Sequence, residues 1–309
     1  MEREEIVNKI LRLKEEKEVV ILAHYYSLPE IQDISDILGD SLALSKAAAK
    51  TDAKIILFCG VNFMAETASI IAPDKKVLVP DNRAGCSLAA SIKADDLIAW
   101  KEKNPEGVVV SYVNTTASVK AYTDICCTSA NAQKIIESIP SGKKILFTPD
   151  KNLGTYLKLT TGRDIEIWEG NCCVHNKFSS EMVRAKMKQY PDADILIHPE
   201  GLCSNDKELI ENKRVFFYST SGMVNHIMNS DKQQFVIATE KEIIHELNKR
   251  DSRKEYIPIS ERALCGNMKR ATLDKVLRAL ENEQPEIKVD AATREKAIIS
   301  INRMFEITD

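Results

Sequence analysis

The chain repeats itself three times, and that repeat limits what it can fold into more than any other feature. Three segments open with a short β-branched run that closes on a polar tip: VVILAHYY from Val19, GVVVSYVN from Gly107 and ADILIHPE from Ala193. Each run has the character of a buried strand. A serine-containing turn follows in every case, GDSLA at Ser41, TSANA at Ser129 and STSG at Ser219. A second run comes next (AKIILFCG, KKILFTPD, QFVIATEK), then an amphipathic helical stretch, then a third run (KKVLVP, RDIEIW, KEYIPI). Beyond the third run the chain soon reaches Cys86, Cys172 or Cys265. A fixed period is the mark of repeated supersecondary units, and here it is roughly ninety residues.

Strands alternating with helices at these spacings predict βαβ units with parallel sheets covered on both faces. The expected fold class is α/β: three three-layer αβα units, related by a pseudo-threefold axis, with short parallel sheets around a central active site. A length of 309 residues would by itself suggest two domains. The repeat instead places the first unit at 1–86, the second at 87–172 and the third at 173–265, with 266–309 closing back on the first. Ligands of parallel α/β sheets bind at the carboxyl ends of the strands. Three sets of such loops would therefore meet at one cavity.

Composition excludes several functions. With 43 basic and 46 acidic residues the net charge is −3, which gives no general basic field for nucleic acid. The first twenty residues are charged throughout, unlike a secretory signal, and the apolar runs fall far short of the ~20 residues of a membrane helix. A cytoplasmic protein that binds neither nucleic acid nor membrane is expected. In that compartment eight cysteines are buried small hydrophobes, metal ligands or nucleophiles rather than a disulfide framework. Cys59, Cys126, Cys127 and Cys203 read as structural thiols. Cys86, Cys172 and Cys265 keep the repeat register, and Cys173, beside Cys172, stays open as an alternative in that unit.

Single cysteines so far apart match no zinc-finger spacing. Three thiolates on separate loops can hold three corners of a 4Fe-4S cube and leave one iron open as a Lewis acid; a three-thiolate zinc site is the metal alternative. His24, Tyr26, His198 and Glu200, at strand tips, suit acid–base chemistry. The hydroxyls of Ser41, Ser129, Ser219 and Thr220 cap helices and can bind carboxylate or phosphate oxygens. No Walker or dinucleotide glycine fingerprint accompanies them.

The stretches LAHYYSLPEIQDISDILGDSL, GVNFMAETASIIAPDKKVLVPD, SYVNTTASVKAYTDICCTSANA, TPDKNLGTYL, IHPE and LCGNMKRATL, in this order, resemble the quinolinate synthase family over nearly the whole chain. The resemblance implies condensation of iminoaspartate with dihydroxyacetone phosphate to quinolinate, with loss of phosphate and water, by a three-domain enzyme of NAD biosynthesis. It implies a 4Fe-4S cluster on Cys86, Cys172 and Cys265. It implies substrate-binding or catalytic roles for His24, Ser41, Tyr112, Asn114, Ser129, His198, Glu200 and Thr220, with Tyr26 beside them and Ser219 among the anion-holding hydroxyls. Functional coupling to an aspartate oxidase or dehydrogenase would follow. The chain departs from the family at His-Tyr-Tyr, where His-Asn-Tyr is usual, and at Asn171 and Cys173, where histidine and proline commonly flank the cysteine. A diphthamide-type radical enzyme shares three cysteines on three related domains, and a non-catalytic iron–sulfur sensor is the reading from another class.

Overall fold

A computed structural model describes residues 2–308; positions 1 and 309, the outermost residues of the expected first unit and closing segment, lie outside the described residues. Three four-stranded sheets account for all the strands of the described residues. The first contains β1 (Val19–His24), β2 (Ile37–Gly39), β3 (Ile55–Cys59) and β4 (Lys76–Leu78) in the order β2-β1-β3-β4. The second contains β5 (Val108–Tyr112), β6 (Ile125–Cys127), β7 (Ile145–Thr148) and β8 (Ile165–Ile167) in the order β6-β5-β7-β8. The third contains β9 (Asp194–Ile197), β10 (Val215–Phe217), β11 (Gln234–Ala238) and β12 (Glu255–Pro258) in the order β10-β9-β11-β12. Every ladder is parallel. The three sheets thus share one topology.

The strands form where Val, Ile, Leu and Phe run together, because a parallel sheet with helices on both faces buries both sides of each strand. Ile21, Leu22 and Ala23 of β1, Val109 and Val110 of β5, and Ile195, Leu196 and Ile197 of β9 are completely buried. The helix that precedes each first strand covers one face. Ile10 of Arg3–Glu16, Leu97 of Ala94–Lys103 and Val183 of Ser180–Gln189 enter three separate core clusters. The opposite faces of all three sheets share a single core. It joins the units into one body.

The structure corrects the strand count. Each unit has four strands, because a three-residue strand (β2, β6 or β10) precedes the serine turn. His24 pairs with Gly39, Tyr112 with Cys127 and Phe217 with Ile197, so the residue two beyond each matched strand end is Ser41, Ser129 and Ser219. Ser219 is the N-cap of the Thr220–Met228 helix, as Asp40 is of the Ser41–Lys50 helix. Its hydroxyl accepts the Gly222 N–H.

The closing segment divides between two units. The Leu273–Asn282 helix packs on the Arg3–Glu16 helix, and Glu286 bridges Leu78 antiparallel, which covers the free edge of β4. The Ala291–Thr308 helix then lies against β6 and the helices Ala117–Lys120 and Ala132–Ser138 of the second unit. Among the described residues no helix is long and apolar enough to cross a membrane.

Ile301 is fully buried in that last helix, within the shared core. Ile301→Ala removes buried methyl groups and leaves a void, and should destabilise the protein by about 2–5 kcal/mol. A thermal unfolding midpoint equal to that of the unaltered chain would show that the last helix does not contribute to the core.

Candidate active site

Parallel topology sends the first strand of each unit toward one centre. Their last residues or the residue just beyond are His24, Tyr112 and His198, and two positions further on stand Tyr26, Asn114 and Glu200. All six line one cavity of about 740 Å³, counting the space open at its mouth, together with Ser41, Ser129 and Thr220 and the thiols Cys86, Cys172 and Cys265. Each type of position is thus represented by one residue from each unit. Ser219 is the predicted residue that stays out of this cavity. It lines a neighbouring cleft and donates to Asp40 Oδ2 at 3.0 Å.

The three cysteines sit in equivalent turns. Two residues upstream of each, the carbonyls of Ala84, Gly170 and Ala263 accept the N–H groups of Asn62, Lys151 and Lys241 at 2.8, 2.7 and 2.9 Å. Only glycine fits at 170, where a Cβ would lie 2.4 Å from the Pro149 carbonyl oxygen. Four residues downstream, the N–H groups of Ala90, Asn176 and Lys269 close the turn on the cysteine carbonyls at 3.0, 3.0 and 3.2 Å. Within the turn two backbone N–H groups face each sulfur: Leu88 and Ala89 at Cys86, Val174 and His175 at Cys172, Asn267 and Met268 at Cys265. Such a pair is a small anion-binding nest.

Burial nevertheless pushes Cys86 up to about 12, and raises Cys172 and Cys265, with each sulfur also feeling a neighbouring thiol across the cavity. Cys173 also borders the cavity but is exposed, and its N–H donates to Ser87 Oγ at 3.1 Å. Cys59, Cys126, Cys127 and Cys203 are buried away from the cavity.

The titratable groups form one directed network. His24 Nδ1 accepts the Tyr26 N–H at 3.2 Å, and His198 Nδ1 accepts the Glu200 N–H at 3.4 Å. The same local turn thereby leaves Nε2 as the protonated nitrogen of both neutral rings, and His198 Nε2 lies 3.2 Å from Ser129 Oγ. Burial lowers His24 to about 4 and His198 to about 3, against the partial opposition of nearby carboxylates. Burial alone would raise Glu200, but the imidazoles of His198 and His175 and the Tyr112 hydroxyl outweigh it and hold the carboxyl well below its ordinary range. With His198 uncharged at neutral pH, the close contacts that remain come from Tyr112 Oη, 2.6 Å from Oε1, and from His175 Nδ1, which lies 3.0 Å from Oε2 and 3.2 Å from Cys172 Sγ. Burial raises both Tyr26 and Tyr112 well above 10, so both stay protonated.

Several members of this network carry no motif that marks them in the sequence. His175 lies three residues after Cys172, and that one-turn spacing is the available signal. Its Nε2 accepts from Thr239 Oγ1 at 2.8 Å, and Thr239 accepts from the Tyr26 hydroxyl at 2.5 Å. Tyr26, Thr239, His175, Glu200 and Tyr112 are therefore joined through hydrogen bonds spanning all three units. Asp40 caps its own helix through Ala43 N and also accepts from Ser219 Oγ and Ser221 N of the third unit. Glu240 lines the cavity and accepts the Cys265 N–H at 3.1 Å.

The chain is similar to proteins of one family over nearly its whole length. The family described as quinolinate synthetase A protein matches residues 8–306. A quinolinate synthase of Pyrobaculum aerophilum is 52% identical over 301 residues, covering 96% of this chain and 98% of the relative. One from Desulforudis audaxviator is 44% identical over 304 residues, 98% and 99% of the two chains. One from Thermus thermophilus is 42% identical over 307 residues, 99% of each.

The depressed histidines give a pH signature in the metal-free protein. By 15N NMR the rings of His24 and His198 should remain neutral as the pH is lowered from 8 to about 5, while an unfolded chain takes up protons near pH 6.5. The unfolded state then binds more protons, so these two groups make stability fall as the pH drops from about 6.5 toward 4. Protonation of either ring above about pH 6 would contradict the burial argument.

Proposed function

The chain belongs to the quinolinate synthase family, and from that premise we propose that it condenses iminoaspartate with dihydroxyacetone phosphate to quinolinate, releasing phosphate and water. The observation that carries the proposal is the meeting, in one cavity, of three cysteine turns of identical backbone design with acid–base groups from all three units. Family membership separates this reading from a diphthamide-type enzyme, which shares the three-cysteine pattern.

The cofactor proposed is a 4Fe-4S cluster held by Cys86, Cys172 and Cys265. The donor set fits. Three half-buried thiols that would repel one another as thiolates call for a cationic group between them, and each sulfur already faces two N–H donors. The backbone nest favours Cys172 over Cys173 as the ligand of the second unit. Such a cluster, when bound, supplies one iron without a protein sulfur, able to polarise a substrate oxygen or nitrogen.

The protein groups divide the remaining tasks. The hydroxyls of Ser41 and Thr220, at the first position of their helices, and of Ser129, in the turn before the Ala132–Ser138 helix, bind phosphate or carboxylate oxygens. Ser219 supports that ring by holding Asp40 rather than by reaching the ligand. The neutral rings of His24 and His198 donate from Nε2, so they orient oxygen acceptors without adding charge. Asn114 offers an amide beside Tyr112. Glu200, ionised, is the acceptor for protons removed from carbon. Tyr26 and Tyr112, kept protonated by burial, donate to departing hydroxyl groups. The bonds from Tyr26 through Thr239 and His175 toward Glu200 run in one direction and hold the Tyr26 hydroxyl in fixed relation to the Glu200 carboxylate. We assign the reaction to the cytoplasm, where thiols stay reduced. The class of enzyme that supplies iminoaspartate is an aspartate oxidase or dehydrogenase.

Anaerobically purified, cluster-loaded protein should form quinolinate from dihydroxyacetone phosphate and iminoaspartate generated from oxaloacetate and ammonia; no product would refute the reaction. Cys86→Ala, Cys172→Ala and Cys265→Ala should each lose bound iron and cluster absorbance, whereas Cys59→Ala keeps both. Normal iron in Cys172→Ala with loss in Cys173→Ala would move the ligand to Cys173.

A further inference from the structure

Tyr26 stands on a turn beyond the end of β1, and the three carbonyls of that turn are held by side chains. Gln32 Nε2 donates to Tyr25 O and Ser27 O at 2.9 Å each, and to Glu242 O of the third unit at 3.0 Å. The Tyr26 carbonyl between them accepts from Lys269 Nζ at 2.6 Å. Buried carbonyls require partners, so these two side chains decide where the turn lies.

Lys269 is the fourth residue after Cys265, the one whose N–H closes the cysteine turn. Its ammonium also pairs with Glu240 Oε1 at 2.8 Å, and the same oxygen accepts the Cys265 N–H at 3.1 Å. Glu240 is fully buried, and its other oxygen accepts the Glu242 N–H at 2.9 Å. One carboxylate therefore holds both the backbone of Cys265 and the cation that grips Tyr26. The corresponding residue of the second unit is Asn176. Its Oδ1 accepts from Asn152 Nδ2 at 2.9 Å, and that amide also donates to the Glu200 carbonyl at 2.9 Å. The corresponding residue of the first unit is Ala90, which has no polar side chain. In two units, then, the fourth residue after the cysteine leads to the carbonyl of a cavity tip.

We propose that Lys269 is a positioning residue: through its ion pair with Glu240 it ties the Tyr26 turn of the first unit to the Cys265 turn of the third, and so sets where the Tyr26 hydroxyl stands in the cavity. The inference rests on the reaction proposed above only for its turnover measurement.

The test uses the cluster-loaded protein with 3-fluorotyrosine placed at position 26, without substrate. Lys269→Met should retain iron and cluster absorbance yet shift or broaden the 19F resonance, and Lys269→Arg should restore most of it. In turnover, Lys269→Met should lower kcat about tenfold, with KM little changed, as for residues coupled in one network. In a Tyr26→Phe background the same substitution should cost less than about twofold. An unchanged 19F resonance with the cluster intact, or an equal loss in both backgrounds, would overturn the proposal. Removing the cation leaves Glu240 buried and unpaired. If Lys269→Met does not accumulate folded, the fluorine measurement is made on Glu240→Gln, where a shifted resonance supports the proposal and an unchanged one overturns it. Failure of the unaltered protein to make quinolinate would count against the reaction alone, because the fluorine measurement needs no turnover.

Discussion

A parallel sheet cannot return on itself, so all of its strands finish on one side, and everything else in this protein depends on that constraint. Each unit delivers the ends of four strands to the same face. The first strand gives the acid–base tip, the second the hydroxyl, the third a helix-starting residue, and the fourth leads to the cysteine turn. Three such faces meeting at a centre produce a cavity in which equivalent positions recur by threes. No single loop has to be long enough to build the site. Short connections on a rigid frame suffice, which is how positional accuracy is obtained from segments that would be mobile alone.

The concentration of polar groups at that centre carries a desolvation cost, and the network shows how it is met. Glu200 is almost completely buried, and an unpaired carboxylate there would be expelled or neutralised. It remains charged because Tyr112 of the second unit and His175, just beyond the second unit's cysteine, converge on its two oxygens. His24 and His198 take the opposite course and give up their charge. Satisfying one anion with hydrogen bonds while keeping its neighbours neutral avoids an array of unbalanced charges. It also leaves proton donors and a proton acceptor side by side at neutral pH.

Much of the architecture is legible in the sequence because it repeats at the level of strand and turn. The runs beginning at Val19, Val108 and Asp194 declare themselves through β-branched residues, and Cys86, Cys172 and Cys265 through spacing. The second strands stay hidden: three residues are too few to show a periodicity, and Asp36–Gly39 reads as the approach to a turn. The third-unit hydroxyl is displaced by one residue for a similar reason. Ser219 and Thr220 are adjacent, and only the folded cavity shows that Thr220 lines it while Ser219 lines the neighbouring cleft. Thr239, Glu240 and Lys269 have no local signature, since each acquires its role from a partner in another unit or another turn.

The repeat and the chemistry make opposite demands. Three sulfurs that share one group require equivalent turns, and the backbone bonds at Ala84, Gly170 and Ala263 repeat closely. Two different substrates joined in a defined order require inequivalent surroundings, and the strand tips supply them as His24, Tyr112 and His198, then Tyr26, Asn114 and Glu200. The division follows the atoms involved. What holds the sulfurs is main chain, which any sequence of suitable shape can reproduce, while what differs is side chain. Between the third strand and the helix that follows it the two demands collide: Val61 stands in the first unit where Asp150 and Glu240 stand in the others. Both carboxylates lie against the N–H of their unit's cysteine, whereas Val61 offers no acceptor to Cys86. The turn of the first unit is therefore the one held without a buried carboxyl group as acceptor for its cysteine N–H.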